Sequence, residues 1–369
     1  MESSQKDRRQ LWIGTAVSLL CLIAIFLFIN PRDIIDAFRH ANYAYLGLTG
    51  LGVLLFMLIR AIRWRFMMGN QVKYGQVFHV QNIGYMLNMY LPFRLGDVAR
   101  AVLMGSVPPL TISQSISTMV VERVLDMMFV VALLPFTLAY APTLPPEFRR
   151  AALLTGVLAV IAIVLLIVAA NQRPFFRRLA TTVFNFIPRI ARVFNGVVSQ
   201  RPFNRRLIIF IFTSISQIDT ETWVRRVDDI LNGLDSLTRF KDGVILLFLS
   251  VLVWLPIIFA YWIGMQAVGL DVTVPMAAFV VCAAALSIAA PSSPGGVGVF
   301  QAGVTAALAL LGQPAAASAS FAFAYHAVNY IVLTILGLIG IAATGSTIGA
   351  VVRTTQNYMK REKGVTSDE

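Results

Sequence analysis

The chain has 369 residues, of which 57% are hydrophobic and only 13% are charged. Soluble domains carry charge on about a quarter of their residues, so this composition excludes a soluble globular protein and predicts a polytopic helical membrane protein. The net charge of +12 does not indicate a nucleic-acid partner, because no nucleic-acid-binding module is present. We expect the basic residues to set membrane topology and to contact anionic lipids.

Six apolar runs are long enough to cross a hydrocarbon core, which takes roughly 20 residues. They cover 11–29, 43–62, 112–140, 151–170, 243–264 and 315–343. The first resembles a signal peptide, but it is too long and lacks a cleavage site, so we interpret it as a retained span. Cys21 and Cys282 lie in separate apolar runs, which argues against a disulfide framework or a metal site. No metal and no cofactor are predicted.

Basic residues after the second and fourth runs predict that these ends face the cytoplasm. They are Arg60, Arg63, Arg65 and Lys73, then Arg173, Arg177 and Arg178. Both termini are then predicted to be cytoplasmic, the carboxyl end because of the basic residues Arg353, Lys360, Arg361 and Lys363. These features predict a multi-pass protein of the cytoplasmic (inner) membrane.

The topology requires that residues 78–104 enter the membrane and return to the same face. Pro92 and Gly96 interrupt this segment, and both residues break helices. Residues 274–311 pose the same requirement from the other face, with PSSPGGVG at 291–298 between their two arms. We therefore predict an all-α membrane protein with about six full transmembrane helices and two oppositely oriented re-entrant hairpins, eight hydrophobic segments in all.

The whole chain, 1–369, is interpreted as a single membrane domain in three parts. A first half at 11–170 contains the hairpin at 78–104, and a second half at 243–345 contains the hairpin at 274–311. The basic segment 171–242 between them is amphipathic, and we expect it to lie at the cytoplasmic interface. The two hairpin tips share the pattern P-x-x-x-G, which suggests an inverted repeat whose broken helices meet near the bilayer midplane.

Charged residues cluster in and beside the first tip. The cluster consists of Arg94, Asp97, Arg100, Glu122, Arg123 and Asp126. Ionisable groups at membrane depth are costly unless they are paired or face water, so they suggest a functional site. We predict that Arg100 pairs with Glu122 or Asp126, and Asp97 with Arg123. The cluster either holds the hairpin in place or binds an anionic headgroup, and both interpretations remain open.

Arg94 is the predicted anion ligand, since it lies at the tip and its planar guanidinium suits phosphate oxygens. Helices that begin near Gly96 and Gly298 would also point their amino termini, which favour anions, at the interior. Polar residues of the apolar segments form a possible relay; they are Asn88, Gln301, His326 and Asn329. The sequence shows no motif for a catalytic nucleophile, no glycosidase-type pair of carboxylates and no nucleotide-binding loop, so catalysis is not predicted.

Three segments together resemble the lysylphosphatidylglycerol synthase transmembrane-region family, also called flippase-like membrane proteins. They are LPFRLGDVARAVLMG, ISTMVVERVLDMM and PSSPGGVGVFQAGV. The resemblance implies a bacterial or archaeal inner-membrane protein of around six to eight membrane segments that moves lipids or lipid-linked precursors between leaflets. It places the charged family set on Gly96, Asp97, Arg100, Glu122, Arg123 and Asp126, and the glycine turn on Pro294, Gly295, Gly296 and Gly298.

The chain departs from this family at Gln301, where many members carry glutamate. The soluble aminoacyltransferase domain of the named synthases has no counterpart in the sequence, so synthase activity is not expected. We expect a flippase for an anionic phospholipid or a polyprenyl-phosphate-linked lipid. The alternatives are a membrane-embedded lipid-modifying transferase and a non-catalytic partner of a biosynthetic enzyme. The oligomeric state is left open.

Overall fold

The computed structural model describes residues 2–138, part of 147–161, 240–289 and 293–365, and over these residues the secondary structure is helical. The described residues up to Ile161 and from Ile245 onward form one compact unit. The predicted amphipathic segment 171–242 and most of the predicted span 151–170 lie outside the described residues.

Eleven helices of the described chain have defined bounds. They are α1 Glu2–Phe28, α2 Pro31–Arg39, α3 Tyr43–Met67, α4 Tyr74–Tyr90, α5 Leu95–Gly105, α6 Ile112–Leu138, α7 Phe240–Ala267, α8 Val274–Ala289, α9 Val299–Leu310, α10 Ala315–Ala343 and α11 Ile348–Val365. Local sequence sets several starts. The Asn42 carboxamide oxygen accepts from the backbone N–H groups of Ala44 and Tyr45 at the start of α3. Thr111 and Gln114 form a reciprocal capping box before α6.

Three of the described helices are long and apolar enough to cross a membrane, at Tyr43–Met67, Lys241–Ala267 and Ala315–Ala343. A fourth crossing results if Thr15–Phe28 and Pro31–Arg39, which meet at a bend of 83°, count as one span. The multi-pass prediction is thus confirmed in its coarse form. The predicted span at 112–140 corresponds to α6, whose charged residues keep it out of this group.

The segment of the first predicted hairpin consists of two packed helices, and its re-entry into the membrane stays a prediction. α4 and α5 pack against each other and are joined by the short turn Pro92–Arg94, in which Phe93 and Arg94 have φ values of 58° and 52°. The backbones approach so closely that a Cβ on Gly96 would overlap the carbonyl oxygen of Gly84. Glycine at this position is what allows the two arms to pack.

The second hairpin has the same plan. α8 and α9 pack together, and the Gln313 side chain after α9 donates to the carbonyl of Asp271 before α8 at 3.0 Å. Entrance and exit therefore lie at the same side of the fold. The turn Pro294–Gly296 joins the arms, with φ of 68° at Gly295 and 72° at Gly296.

The two tips share a backbone conformation as well as a sequence pattern. In each, a proline is followed by two residues in the left-handed region. Glycine adopts this conformation at little cost, and the second tip uses Gly295 and Gly296. The first tip places Phe93 and Arg94 there, where strain costs of order 1–3 kcal/mol per residue. The five-residue sequence repeat is thus accompanied by a repeat of the backbone conformation.

The packed interior lies around α10, which contacts α2, α3, α4 and α9. Phe321 and Leu333 of this helix are buried, with exposed fractions of 0% and 2%. Large apolar side chains also point outward, among them Phe248 at 64% and Leu255 at 53% exposed. An apolar exterior of this kind is the surface that a membrane protein presents to lipid tails.

Candidate functional site: a buried arginine network beside two meeting hairpin tips

Glu122 on α6 is the centre of a buried ion-pair network. Its Oε2 accepts from Nη2 of Arg100 on α5 at 3.0 Å. Its Oε1 accepts from Nε of Arg60 on α3 at 2.8 Å and also from Nη2 of the same arginine. Tyr85 of α4 donates a longer hydrogen bond, 3.4 Å, to Oε1. Since Glu122 is 1% exposed and Arg100 is 0% exposed, one carboxylate ties α3 and both arms of the first hairpin to α6.

Asp126, one helical turn further along α6, completes the network. Its Oδ2 accepts from Nη2 of Arg60 at 2.6 Å, and its Oδ1 accepts from Nη2 of Arg63 at 2.8 Å. The other end of the Arg63 guanidinium reaches Oγ of Ser250 on α7 at 3.5 Å. Arg63 is 0% exposed and Arg60 is 4% exposed. The network therefore also connects α7 to the hairpin.

Arg60 and Arg63 correct the sequence interpretation, which took both as cytoplasmic flanking residues. They lie inside α3, whose last residue is Met67, and they face the carboxylates of α6. The spacing of these residues could have indicated the pairing. Arg60 and Arg63 are three residues apart on α3, and Glu122 and Asp126 are four apart on α6. Either spacing places both side chains on one face of a helix. What the sequence did not provide was the proximity of α3 to α6.

The predicted pairings are otherwise confirmed. Arg100 pairs with Glu122 rather than with Asp126, and Arg123 pairs with Asp97 at 3.3 Å. This second pair lies closer to the surface, with 41% of the Arg123 side chain and 20% of the Asp97 side chain exposed. Asn88 of α4 donates to the same Asp97 carboxylate at 3.0 Å, which holds α4, α5 and α6 together at the first tip.

The buried network carries one excess positive charge, because three arginines share two carboxylates. Aromatic rings offset part of this excess. The Arg100 guanidinium lies 4.2 Å from the centre of the Trp64 ring and 5.2 Å from that of Tyr85. Nε and Nη1 of Arg100 have no hydrogen-bond partner within the described structure. The electrostatic potential around the first hairpin is therefore expected to be positive.

Arg94 lies outside this network, at the contact between the tips. Its Nη2 donates to the carbonyl of Ile288, near the end of α8, at 3.0 Å. Arg94 is exposed, and among the described residues it has no carboxylate partner. The two hairpin tips touch each other. The two broken segments therefore meet at their tips, and Arg94 lies at this junction without a carboxylate partner in the described part of the chain.

Tyr330 of α10 also joins the two tips. Its hydroxyl donates to the carbonyl of Met89, at the end of α4, at 3.0 Å. A Cβ on Gly295 of the second tip would overlap the same hydroxyl. Pro294 and Gly296 lie in this turn, and Gly298 follows it, where a Cβ would overlap the backbone of Ser18 in α1. Close packing therefore requires glycine at positions 295 and 298.

The four predicted relay residues do not form one chain of hydrogen bonds in the described structure. Asn88 binds Asp97, and the Gln301 side chain accepts from the backbone N–H of Gly298 at 2.7 Å. His326 is buried between the rings of Phe300 and Tyr330, and its Nε2 lacks a partner among the described groups. Asn329 is half-buried one turn of α10 away. Gln301 acts here as a helix cap.

Comparison with known proteins agrees with the motif resemblance. The model of the lysylphosphatidylglycerol synthase TM region matches residues 11–337. A UPF0104 membrane protein of Methanothermobacter thermautotrophicus is 21% identical over 329 residues, which cover 88% of this chain and 90% of the relative. A second UPF0104 membrane protein of that organism is 24% identical over 345 residues, 90% of this chain and 95% of the relative.

Glycosyltransferase AglD of Haloferax volcanii is 26% identical over 342 residues, which cover 89% of this chain and 53% of AglD. No solved structure matches the chain. Because the family model spans most of the sequence and includes both hairpins and α6, the chain belongs to the lysylphosphatidylglycerol synthase transmembrane-region family.

Proposed function

We propose that the protein moves a lipid with an anionic headgroup, either a phospholipid or a polyprenyl-phosphate-linked lipid, between the leaflets of the cytoplasmic membrane. The observation that carries this proposal is the contact between the two broken helix pairs, where Arg94 lies exposed with no carboxylate partner among the described residues. The headgroup binds at this junction while its tails stay in the surrounding lipid.

The proposed placement has the two hairpins re-entering from opposite faces, with both chain termini in the cytoplasm. The joined ends of the second hairpin, Asp271 and Gln313, support a segment that enters and leaves at one face. Contacting tips of oppositely inserted hairpins are a geometry in which one binding site can open to either side.

Backbone strain supports a functional role for the first tip. Phe93 and Arg94 hold left-handed backbone angles that the second tip assigns to glycines. Strained non-glycine residues of this kind concentrate at functional sites, where the side chain is needed despite the conformational cost. The side chain retained at this cost on Arg94 is a cation suited to phosphate.

The buried network has a different part in the proposal. Arg100, Glu122 and Asp126 are almost fully buried and bind mainly one another, so they hold the hairpin against α3 and α6. Asp97 and Arg123 lie partly exposed beside the tip and flank the headgroup. In this proposal Arg94 contacts the substrate, and the buried residues position the hairpin. The excess positive charge of the network favours an anionic headgroup.

Reconstitution in liposomes with fluorescent lipids in both leaflets tests the proposal. The wild-type protein is expected to exchange an anionic lipid between leaflets faster than a zwitterionic lipid with the same chains. Arg94→Gly removes the cation and also relieves the left-handed strain, so the variant should fold at least as well while exchange is lost. Arg94→Lys should keep part of the exchange, because it keeps the charge but not the planar fork.

The matched control is Arg353→Gln on α11, an exposed cation whose Nε binds the carbonyl of Gly349; exchange should be unchanged. If Arg94→Gly protein is folded and exchanges anionic lipid at the wild-type rate, the proposed site is wrong. If wild-type protein exchanges no lipid in either direction, the proposed activity is wrong.

A second candidate is suggested by one relative, glycosyltransferase AglD, of which the matched region covers 53%. In this alternative the protein is a membrane-embedded transferase, or the membrane partner of an enzyme that modifies lipid-linked substrates. Mass spectrometry of the recovered lipids separates the alternatives. A chemically altered lipid indicates transfer, and co-purification of a biosynthetic enzyme without exchange or product indicates the partner role.

A further inference from the structure

A separate groove lies at the shared end of α3 and α7, away from the hairpin tips. It has a volume of about 430 Å³. Ile62 and Phe66 of α3 face Ile245 and Leu249 of α7 across it. The end of α3 and the start of α7 lie at one level, as the contact between Arg63 and Ser250 shows. Two candidate spanning helices therefore form an apolar cleft where α3 ends and α7 begins.

Arg65 and Asn70 form a polar end of the groove, and Tyr74 also lines it. The Arg65 guanidinium donates to the carbonyls of Val72 and Asn70, at 2.7 and 3.5 Å, and no carboxylate within the described chain neutralises it. Backbone carbonyls fix the position of the guanidinium but leave its charge uncompensated. The Tyr74 hydroxyl donates to the carbonyl of Leu58, which precedes Ile62 and Arg65 along α3, so it lies on the apolar side of Arg65.

We propose that this groove binds one anionic phospholipid, with an acyl chain between the apolar walls and the phosphate on Arg65. Charge complementarity selects this occupant, because the phosphate supplies the negative charge that Arg65 lacks. The apolar exterior continues beside the cleft, where Phe248 is 64% exposed, so the second chain stays in bulk lipid. Basic sites between membrane helices at the cytoplasmic side are suited to anionic headgroups.

This site is independent of the proposed transport, since within the described structure the groove residues make no hydrogen bond or ion pair with Arg94 or the second tip. The lipid would bind α3 and α7 together at their common end and neutralise a cation at the membrane surface. It is a site for a resident lipid rather than for the transported one.

Native mass spectrometry of the delipidated full-length protein in detergent tests the inference, with phosphatidylglycerol and phosphatidylcholine of identical chains as probes. One phosphatidylglycerol should bind more tightly than phosphatidylcholine, and Arg65→Gln should raise the Kd at least about tenfold. Leu249→Trp should also expel the lipid by filling the cleft while leaving Arg65 in place. Glycerol phosphate, which has no chains, should not displace bound lipid.

Two matched controls locate the effect. Phe248→Trp adds the same ring one residue outside the cleft, and Arg353→Gln removes a cation elsewhere; both should bind lipid like the wild type. Equal affinity for the two lipids, or unchanged binding in both Arg65→Gln and Leu249→Trp, would overturn the proposal. So would displacement of the lipid by glycerol phosphate. Arg65→Gln also removes the hydrogen bond that holds the loop at Asn70, so this variant could lose lipid binding indirectly. Ile62→Trp fills the cleft from α3 and keeps that hydrogen bond, and it should lose lipid binding as Leu249→Trp does.

Discussion

Arg100 and Glu122 form an ion pair inside the protein, with Nη2 and Oε2 3.0 Å apart and about 1% of each side chain exposed. The pair connects the returning arm of the first hairpin to α6. Two buried charges lose their hydration, and their attraction repays this only when the remaining polar atoms are satisfied. Here the Glu122 oxygens also accept from Arg60 and Tyr85. The Arg100 guanidinium lies over the Trp64 ring, and its Nε and Nη1 have no hydrogen-bond partner among the described residues.

Glu122→Gln should strongly destabilise the protein. The substitution keeps the shape of the side chain but leaves Arg60 and Arg100 without their shared carboxylate. Removing one partner of a buried ion pair costs about 3–5 kcal/mol. Thermal unfolding in detergent should therefore show a clear fall in Tm. The double variant Arg100→Gln with Glu122→Gln should cost less than the sum of the two single changes, because it leaves fewer unpaired charges.

Asp36→Asn provides the control for Glu122→Gln. Asp36 pairs with Arg39 at 3.7 Å, and both side chains are more than half exposed. Exposed pairs contribute about 0–1 kcal/mol, so Tm should change little. Equal shifts in Tm for Asp36→Asn and Glu122→Gln would contradict the role assigned to the buried network.

Gly96→Ala should separate the arms of the first hairpin. The new Cβ would overlap the carbonyl oxygen of Gly84 and lie 2.6 Å from the carboxamide oxygen of Asn88. Neither backbone can yield without moving a helix, and overpacking of this kind costs about 1–3 kcal/mol. We expect a lower Tm and, under the proposed function, a loss of lipid exchange.

The matched control is Gly47→Ala on α3, where a Cβ would meet nothing within 4 Å. Alanine is favoured over glycine in a helix by about 1 kcal/mol, so Gly47→Ala should be neutral or stabilising. The packing argument fails if both alanine variants unfold at the wild-type temperature.

The sequence predicts much of this arrangement, for reasons that are local. Pro92 interrupts the first hairpin where the chain must turn, and Pro294 with three glycines does so in the second, whereas Gly96 lies inside α5 and allows its close packing on α4. The i, i+4 spacing of Glu122 and Asp126 places both on one face of α6, so a facing hairpin with Asp97 and Arg100 could pair with it. These inferences need only helical periodicity and charge complementarity.

The sequence alone does not assign Arg60 and Arg63 to the site, because an arginine at the end of an apolar run is compatible with two locations. It either flanks the membrane or is buried opposite a carboxylate. Only the packing of α3 on α6 decides between them, and that is a tertiary relationship. The predicted polar relay also depends on tertiary contacts that the sequence does not show. Gln301 and Asn88 form hydrogen bonds with nearby groups and not with His326.

Cysteine labelling should establish whether the hairpins are re-entrant. Lys73 and Ser106 flank the first hairpin, and Thr273 and Ala315 flank the second; all four are exposed. In a background with Cys21 and Cys282 replaced by alanine, a membrane-impermeant thiol reagent should label Lys73→Cys and Ser106→Cys from the cytoplasmic side. Thr273→Cys and Ala315→Cys should react from the opposite side.

Full spans would give a different labelling pattern. The tip between two spanning arms would then lie in water on the side opposite to its flanks. Phe93→Cys, at an exposed position of the first tip, should therefore react slowly from both sides if the hairpin is re-entrant. Rapid labelling of Phe93→Cys from the side opposite to Lys73→Cys would refute the predicted topology and with it the proposed placement of Arg94.

Tyr330→Phe should loosen the junction between the tips. The substitution removes the 3.0 Å hydrogen bond to the Met89 carbonyl and keeps the ring that stacks on His326. The expected loss of stability is about 1 kcal/mol, measured as a fall in Tm. Tyr43→Phe is the control, because the Tyr43 hydroxyl makes a longer bond of 3.3 Å to the Phe38 carbonyl at an exposed position. If both variants shift Tm equally, Tyr330 does not hold the tips together.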